Sequence, residues 1–164
     1  MNPTYRPGAM GALMDEYERA IHDLAQLLDT LTQSQFEALR DRDTQDEDCR
    51  SIQTVVTHVV RSGYGYVGYL RSALDMDFQR PDFRVETPTE GVRELAAMAG
   101  WTAKTFEGNW GLPDAAIEAA RIQSRWGPVF NLEQMFEHAI VHVLRHRRQI
   151  ERFLSEPQFS GAAR

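Results

Sequence analysis

Cysteine is almost absent from this sequence. Cys49 is the only one among 164 residues, which excludes an internal disulfide and a cysteine-rich zinc site. The chain also lacks any apolar run approaching the roughly 20 residues that cross a bilayer. The first ten residues, MNPTYRPGAM, lack the basic and apolar blocks of a secretory signal. We therefore expect a cytoplasmic protein with no membrane partner.

A broad excess of positive charge is missing as well. The chain has 18 Lys and Arg against 24 Asp and Glu, for a net charge of -6. Nucleic-acid binding needs a broad basic face, so we expect no nucleic-acid partner. The basic residues that do cluster are Arg145, Arg147, Arg148 and Arg152, and we interpret them as a solvated face of the last helix.

The spacing of apolar residues is typical of helices along most of the chain. A chain of 164 residues is long enough for one sizeable core and too short for two comfortable domains, so we predict a single domain over residues 1–164. A first helix is predicted from about Met10 to near Leu39. The acidic segment 41–50 has no apolar period and is interpreted as a solvated connection.

The remaining helices are predicted from caps and apolar stripes. Ser51 is expected to cap a second helix that runs to about Leu74, Thr89 to cap a third, and Asn131 to begin the last. Residues 75–89 are predicted as an extended loop. A short helix from Pro113 and an irregular stretch over 121–130 separate the last two long helices. The fold class is therefore an all-α four-helix bundle with an elaborated connection between helices 3 and 4.

Three of the five histidines occur in HAIVHVLRHRRQI. His138, His142 and His146 are four residues apart, which places them in a row on one helix face, and apolar neighbours indicate that this face points inward. A buried imidazole without partners costs about 1–3 kcal/mol, and a divalent metal satisfies it. Two histidines at this spacing can bind one ion, so a third ligand is expected from His22 or His58.

His58 is the better candidate for the third ligand. Its face of the second helix carries small residues, including Gly65, and Tyr69 is placed to hold a hydroxyl over the same space. His22 lies off the apolar stripe of the first helix and is expected near the surface. Gly63 and Gly68 are also unusual within a helix, and they predict close approach of a ligand or a neighbouring helix.

The histidine motifs resemble those of the DinB-like metalloprotein superfamily. SIQTVVTHVV is followed far downstream by HVLRHRRQI, which is preceded by WGPVFNLEQMFEHAIVH. The likeness covers nearly the whole chain in helix order and spacing. It implies a bundle of the DinB-like type with His58, His142 and His146 as the metal ligands. His138 and Gln149 are then supporting residues or alternative ligands.

The resemblance also implies a function. Superfamily members of known activity include thiol-dependent transferases and isomerases. Our leading hypothesis is a divalent-metal enzyme that activates a low-molecular-weight thiol, or water, to attack a small electrophilic substrate. Imidazole ligands suit zinc, nickel, iron and manganese. Tyr69 is expected to orient the substrate, Arg145 or Arg147 to bind a carboxylate of the thiol, and Asp114 or Glu118 is a possible fourth metal ligand.

Two other functions are compatible with the same residues. The protein is alternatively a non-catalytic metal-binding or stress-associated module. It is also compatible with a metal-free interaction bundle whose histidines form a polar cluster bridged by water.

A possible partner surface lies on the last helix. Phe136, Ile140 and Leu144 form an apolar strip away from the histidines, and Leu154 falls near the same line. Another helix of the bundle or a second copy of the chain must cover this strip. We expect a homodimer.

Overall fold

The protein is a bundle of four long helices, seen here in a computed structural model that describes residues 5–155. The helices are α1 (Gly8–Asp29), α2 (Gln33–Glu37), α3 (Ile52–Ala73), α4 (Pro88–Phe106), α5 (Asp114–Ala119) and α6 (Leu132–Ser155). The long helix α1 packs against α4 and α6, and α3 packs against the same two. The predicted all-α four-helix bundle is confirmed. No helix within residues 5–155 has the length and apolar content needed to span a membrane.

Aromatic side chains fix the position of α6 in the bundle. Phe136 of α6 packs edge-on against Tyr17 of α1, with ring centroids 5.6 Å apart. It also stacks on Phe106 of α4 at 5.7 Å. All three side chains are buried, and such aromatic contacts contribute beyond the area that they bury. The face of α6 that packs against α3 carries the histidines.

The first helix is shorter than predicted. α1 ends at Asp29, not near Leu39, because Thr32 begins the separate helix α2 with a capping box. The Thr32 side chain accepts a hydrogen bond from the backbone N–H of Gln35, and the Gln35 side chain accepts one from the backbone N–H of Thr32. Phe36 of α2 is nevertheless buried in the core, so the apolar pattern continues across the break between the two helices.

The third helix begins earlier than predicted. The cap is Thr87, whose side chain accepts the N–H of Glu90, and Thr89 already lies inside α4. Pro88 occupies the first helical position, where its missing N–H has no hydrogen bond to lose. The predicted cap of the second helix is confirmed, since Ser51 lies immediately before α3 and accepts a backbone N–H of its first turn.

The connection between α4 and α6 is elaborated, as predicted, but part of it is regular. Residues 121–130, interpreted as irregular, contain a small antiparallel hairpin. Its strands are β1 (Ile122–Gln123) and β2 (Val129–Phe130). Ser124 closes the hairpin by donating its hydroxyl to the Pro128 carbonyl at 2.7 Å. Strands of two residues are too short for the alternating pattern that identifies a strand in a sequence.

The apolar strip on α6 is covered by the bundle itself at one end. Phe136 is 0% exposed, whereas Leu144 is 40% exposed. Ile140 and Leu154 are partly buried against the core. The side chain nearest the start of the strip therefore needs no partner chain to bury it.

The glycines of α3 differ in what surrounds them. A methyl group on Gly63 would lie 1.8 Å from the Met98 sulfur of α4, whereas one on Gly65 would meet nothing within 4 Å. A close helix contact therefore accounts for Gly63, which is one of the two explanations predicted, and open space adjoins Gly65. A methyl group on Gly68 would lie 3.2 Å from the Phe78 ring.

This contrast gives a matched pair of variants. Gly63→Ala is expected to lower the free energy of unfolding by about 1–2 kcal/mol, because overpacking a buried contact outweighs the gain in helix propensity. Gly65→Ala is expected to raise it by about 0.5–1 kcal/mol through helix propensity alone. Urea denaturation of both variants measures the difference. Equal effects at the two positions would contradict the close contact with Met98.

Candidate metal centre

Three histidine rings from two helices meet inside the bundle. The Nε2 atoms of His58 on α3 and His142 on α6 are 3.0 Å apart. The ring of His146, one turn further along α6, lies 4.5 Å from that of His142 and 4.9 Å from that of His58. One nitrogen from each ring lies within 4.8 Å of the others. Among residues 5–155, no other group of three histidine, cysteine or carboxylate side chains is arranged to bind a metal.

Two of the three rings are held by hydrogen bonds at Nδ1, the ring nitrogen that is left free when Nε2 binds a metal. Nδ1 of His58 is 3.0 Å from a carboxylate oxygen of Asp48, and Nδ1 of His146 is 2.8 Å from the side-chain oxygen of Gln149. Both partners are acceptors, so each Nδ1 carries the proton and each Nε2 presents a lone pair. Metal-binding histidines are typically oriented in this way.

Burial keeps the rings of the last helix neutral. It lowers the pKa of His142 to about 3, helped by His146, His58 and nearby Arg145. Burial also lowers the pKa of His146, although the hydrogen bond with Gln149 opposes the change. Neutral imidazole is the form that binds a metal, so His142 and His146 are ready to bind a cation at neutral pH.

Asp48 is held as a carboxylate. Burial alone would raise its pKa, but hydrogen bonds with Arg61 and His58 bring the pKa below its ordinary value. The charged Asp48 carboxylate therefore accepts a hydrogen bond from the Nδ1–H of His58. Arg61 holds the same carboxylate in place through an ion pair. A carboxylate that accepts the Nδ1–H of a histidine also fixes the tautomer and the orientation of the ring.

The spacing of the ring nitrogens fits a single ion. Ligands about 2.0–2.1 Å from a tetrahedral metal lie about 3.4 Å from one another, and the observed separations, 3.0 Å for His58 and His142 and no more than 4.8 Å for any pair, are close to that value. Three ligands also leave at least one position open, as catalytic zinc sites do and structural sites do not. The donor set therefore fits a divalent metal with an open position.

A cavity of about 480 Å³ adjoins the histidines. His58 and His142 lie in its wall, together with Gly65 and Tyr69 of α3 and Trp126 of the hairpin. The open space beside Gly65 belongs to this cavity. Tyr69 already accepts a hydrogen bond, since its hydroxyl receives the backbone N–H of Arg125 at 3.0 Å.

The other residues singled out in the sequence lie at different distances from the histidine cluster. His138 is outside it and stacks on Trp126, with ring centroids 5.2 Å apart. His22 is exposed on α1. Asp114 and Glu118 are exposed on α5 and are not part of the cluster.

The two candidate arginines have different surroundings. Arg145 is exposed, and its charge helps to lower the pKa of His142. Arg147 instead forms ion pairs with Asp23 of α1 and with Glu151 of its own helix. Of the two, Arg145 therefore has the more direct electrostatic influence on the histidines.

Asp48 and Trp126 were not recognised from the sequence. Asp48 belongs to the acidic segment interpreted as a solvated connection, where nothing distinguishes it from its neighbours Asp46 and Glu47. The sequence offered one signal: Asp48 precedes the predicted cap Ser51 by three residues. A residue at that position lies near the first turns of α3, where His58 is found. Trp126 lies at the tip of a hairpin too short to be predicted.

Removal of the Asp48 charge is expected to weaken metal binding. Asp48→Asn keeps the size of the side chain but removes the negative charge behind His58, so we expect about 10- to 100-fold weaker binding of zinc. Competition with a coloured zinc chelator measures this, and Asp43→Asn, which alters an exposed aspartate of the same segment, is the matched control. Equal zinc affinities of the two variants would contradict a role for Asp48 in the site.

One of three comparisons with known proteins identifies a family for the chain. No curated protein and no solved structure matches the chain. Residues 16–150 match the family model of the DinB superfamily, a range that includes all three clustered histidines and most of α1 and α6. The chain therefore belongs to the DinB superfamily.

Proposed function

We propose that the protein is a divalent-metal-dependent enzyme that activates a low-molecular-weight thiol, or water, for attack on a small electrophile. The observation that carries the proposal is the meeting of three imidazole rings beside an open cavity. A purely structural metal site has no need of such a cavity. Membership of the DinB superfamily and the thiol chemistry of its active members support the same choice.

The histidines and their partners hold the cation. His58, His142 and His146 provide three neutral ligands, so the ion keeps its full double charge. Such an ion lowers the pKa of a thiol or water bound to it. Asp48 and Gln149 keep the ligand nitrogens of His58 and His146 directed at the common centre.

Residues near the histidines bind and orient the reactants. The Tyr69 hydroxyl uses an oxygen lone pair to accept the Arg125 N–H, so its own proton is free to be donated to a substrate oxygen. Arg145 is exposed on α6 and near enough to His142 to help lower its pKa, which supports the proposal that it binds a carboxylate of the thiol. Arg147 is less suited to that role because Asp23 and Glu151 already balance its charge.

A transferase assay tests the proposed function. Metal-free protein is reloaded separately with zinc, nickel, iron and manganese, and each form is assayed with chlorodinitrobenzene and a panel of small thiols. We expect turnover with at least one metal and one thiol, lost in His142→Ala and kept in His22→Ala, the exposed control. Turnover that is unchanged by His142→Ala would contradict the proposal. Full metal loading without turnover would favour the non-catalytic module.

A further inference from the structure

The cavity beside the histidines has a positively charged wall. Arg61 of α3, Arg80 of the loop between α3 and α4, and Arg125 of the hairpin line it from three separate segments. Within the described part of the chain, Asp48 is the one carboxylate that lines it, and Asp48 is already engaged by His58 and Arg61. This excess of positive charge arises in a chain whose net charge is -6. The local charge therefore favours an anionic ligand.

Two of the three guanidinium groups have no counter-ion among residues 5–155. Arg61 pairs with Asp48, whereas neither Arg80 nor Arg125 forms an ion pair with any residue in the range 5–155. Arg80 also lines a neighbouring depression together with Asp77 and Asp82. The positive charge of Arg125 is therefore more fully available to a ligand in the cavity than that of Arg80. Guanidinium groups bind carboxylates through paired hydrogen bonds.

Another part of the cavity wall is aromatic. Trp126 is 46% exposed, although its ring is held by neighbours. It stacks on His138 at 5.2 Å with an angle of 23°, and it meets Tyr69 edge-on at 5.9 Å. A large aromatic face that is both exposed and held in place is suited to contact a planar ligand.

The hairpin holds the cationic and aromatic groups together. Arg125 and Trp126 are consecutive residues at its tip, and the Arg125 N–H donates to the Tyr69 hydroxyl of α3. Gln123 adds a hydrogen bond from its side chain to the Gly127 carbonyl at 2.8 Å. The tip is therefore ordered before any ligand arrives, which lowers the entropy lost on binding.

We propose that the cavity binds a small organic acid. Its carboxylate lies against Arg125 and Arg80, its planar apolar part lies on Trp126, and its reacting atom points toward His58 and His142. The volume of about 480 Å³ is within the range of small-molecule sites, about 300–1,000 Å³. The proposal rests on the proposed function for the reaction itself, but binding of the acid depends only on the arginines and the tryptophan.

Calorimetry with simple probes tests the charge requirement. Benzoate and its uncharged analogue benzamide are titrated into zinc-loaded full-length protein, and we expect benzoate to bind at least about tenfold more tightly. Arg125→Gln is expected to remove most of this preference, and Arg80→Gln part of it. Arg19→Gln, which alters an exposed arginine of α1, is the control and is expected to change nothing. Equal affinities for benzoate and benzamide would overturn the proposal.

A second comparison tests the aromatic surface. Benzoate is expected to bind more tightly than acetate, and Trp126→Leu is expected to reduce this difference without changing the zinc content. Equal binding of benzoate and acetate by the unaltered protein would overturn the assignment of Trp126. Zinc is measured on the same samples, so failure of the proposed metal enzyme can be told apart from failure of the proposed acid site. Arginine-dependent benzoate binding without bound zinc would defeat only the metal enzyme, and zinc-loaded protein without a preference for benzoate would defeat only the acid site.

Discussion

Replacing His142 with alanine is expected to abolish stoichiometric metal binding. The ring of His142 lies close to both other ligands, 5.0 Å from that of His58 and 4.5 Å from that of His146. Its loss leaves two ligands on different helices. Loss of a residue that only supports a ligand weakens metal binding about 10- to 100-fold, and we expect loss of a ligand itself to exceed that range.

The effect extends to thermal stability. A metal at 100 times its dissociation constant stabilises the folded state by about 2.7 kcal/mol, which for a domain of this size raises the melting temperature by about 5–10 °C. We expect this zinc-dependent rise in the unaltered protein and in His22→Ala, and no rise in His142→Ala. Differential scanning fluorimetry with and without zinc measures it. An equal rise in all three proteins would place the metal elsewhere.

Phe136→Ala is expected to have the largest effect on stability without any metal. Phe136 is 0% exposed and contacts aromatic rings on two other helices, Tyr17 and Phe106. Its truncation leaves a cavity where three helices meet, and such changes lower the free energy of unfolding by about 3–5 kcal/mol. Guanidinium denaturation of metal-free protein measures this loss.

Leu144→Ala is the matched control from the same strip of α6. Leu144 is 40% exposed, so its truncation in the monomer is expected to change the free energy of unfolding by less than about 0.5 kcal/mol. Comparable losses for Phe136→Ala and Leu144→Ala, at a protein concentration where light scattering shows a monomer, would contradict the burial described for α6.

The homodimer stays a prediction. The exposed apolar side chains of α6 are Leu144 and Val141, which is 51% exposed, and they are the natural contact surface for a second copy. Light scattering at micromolar concentration is expected to give about twice the chain mass of 18.8 kDa. A monomeric mass would contradict the prediction.

Helical periodicity and histidine spacing were enough to predict the main elements. The four-residue spacing of His142 and His146 placed them on one face of the last helix. In the bundle this face packs against α3, where His58 lies. Local signals at the helix ends were weaker. Thr89 has the chemistry of a cap, but only a preference for Pro88 at the first helical position would have identified Thr87 as the real one.

The site residues that could not be predicted from the sequence are those whose role depends on tertiary contacts. Asp48 is one acidic residue among several, and only the fold brings its carboxylate within 3.0 Å of His58. Arg125 and Trp126 are far from His58 in sequence, and they reach the cavity through a hairpin with two-residue strands. The spacing of residues within one helix is predictable from a single sequence, whereas contacts between a loop and a helix depend on how the whole chain packs.

X-ray absorption spectroscopy of the zinc-loaded protein tests the central claim most directly. The predicted spectrum contains three imidazole nitrogens at about 2.0–2.1 Å, and the bound zinc that gives this signal is lost in His58→Ala and in His142→Ala but kept in His22→Ala. A zinc ion surrounded by oxygen ligands alone, or an imidazole signal unchanged by both ligand substitutions, would contradict a shared metal site between α3 and α6.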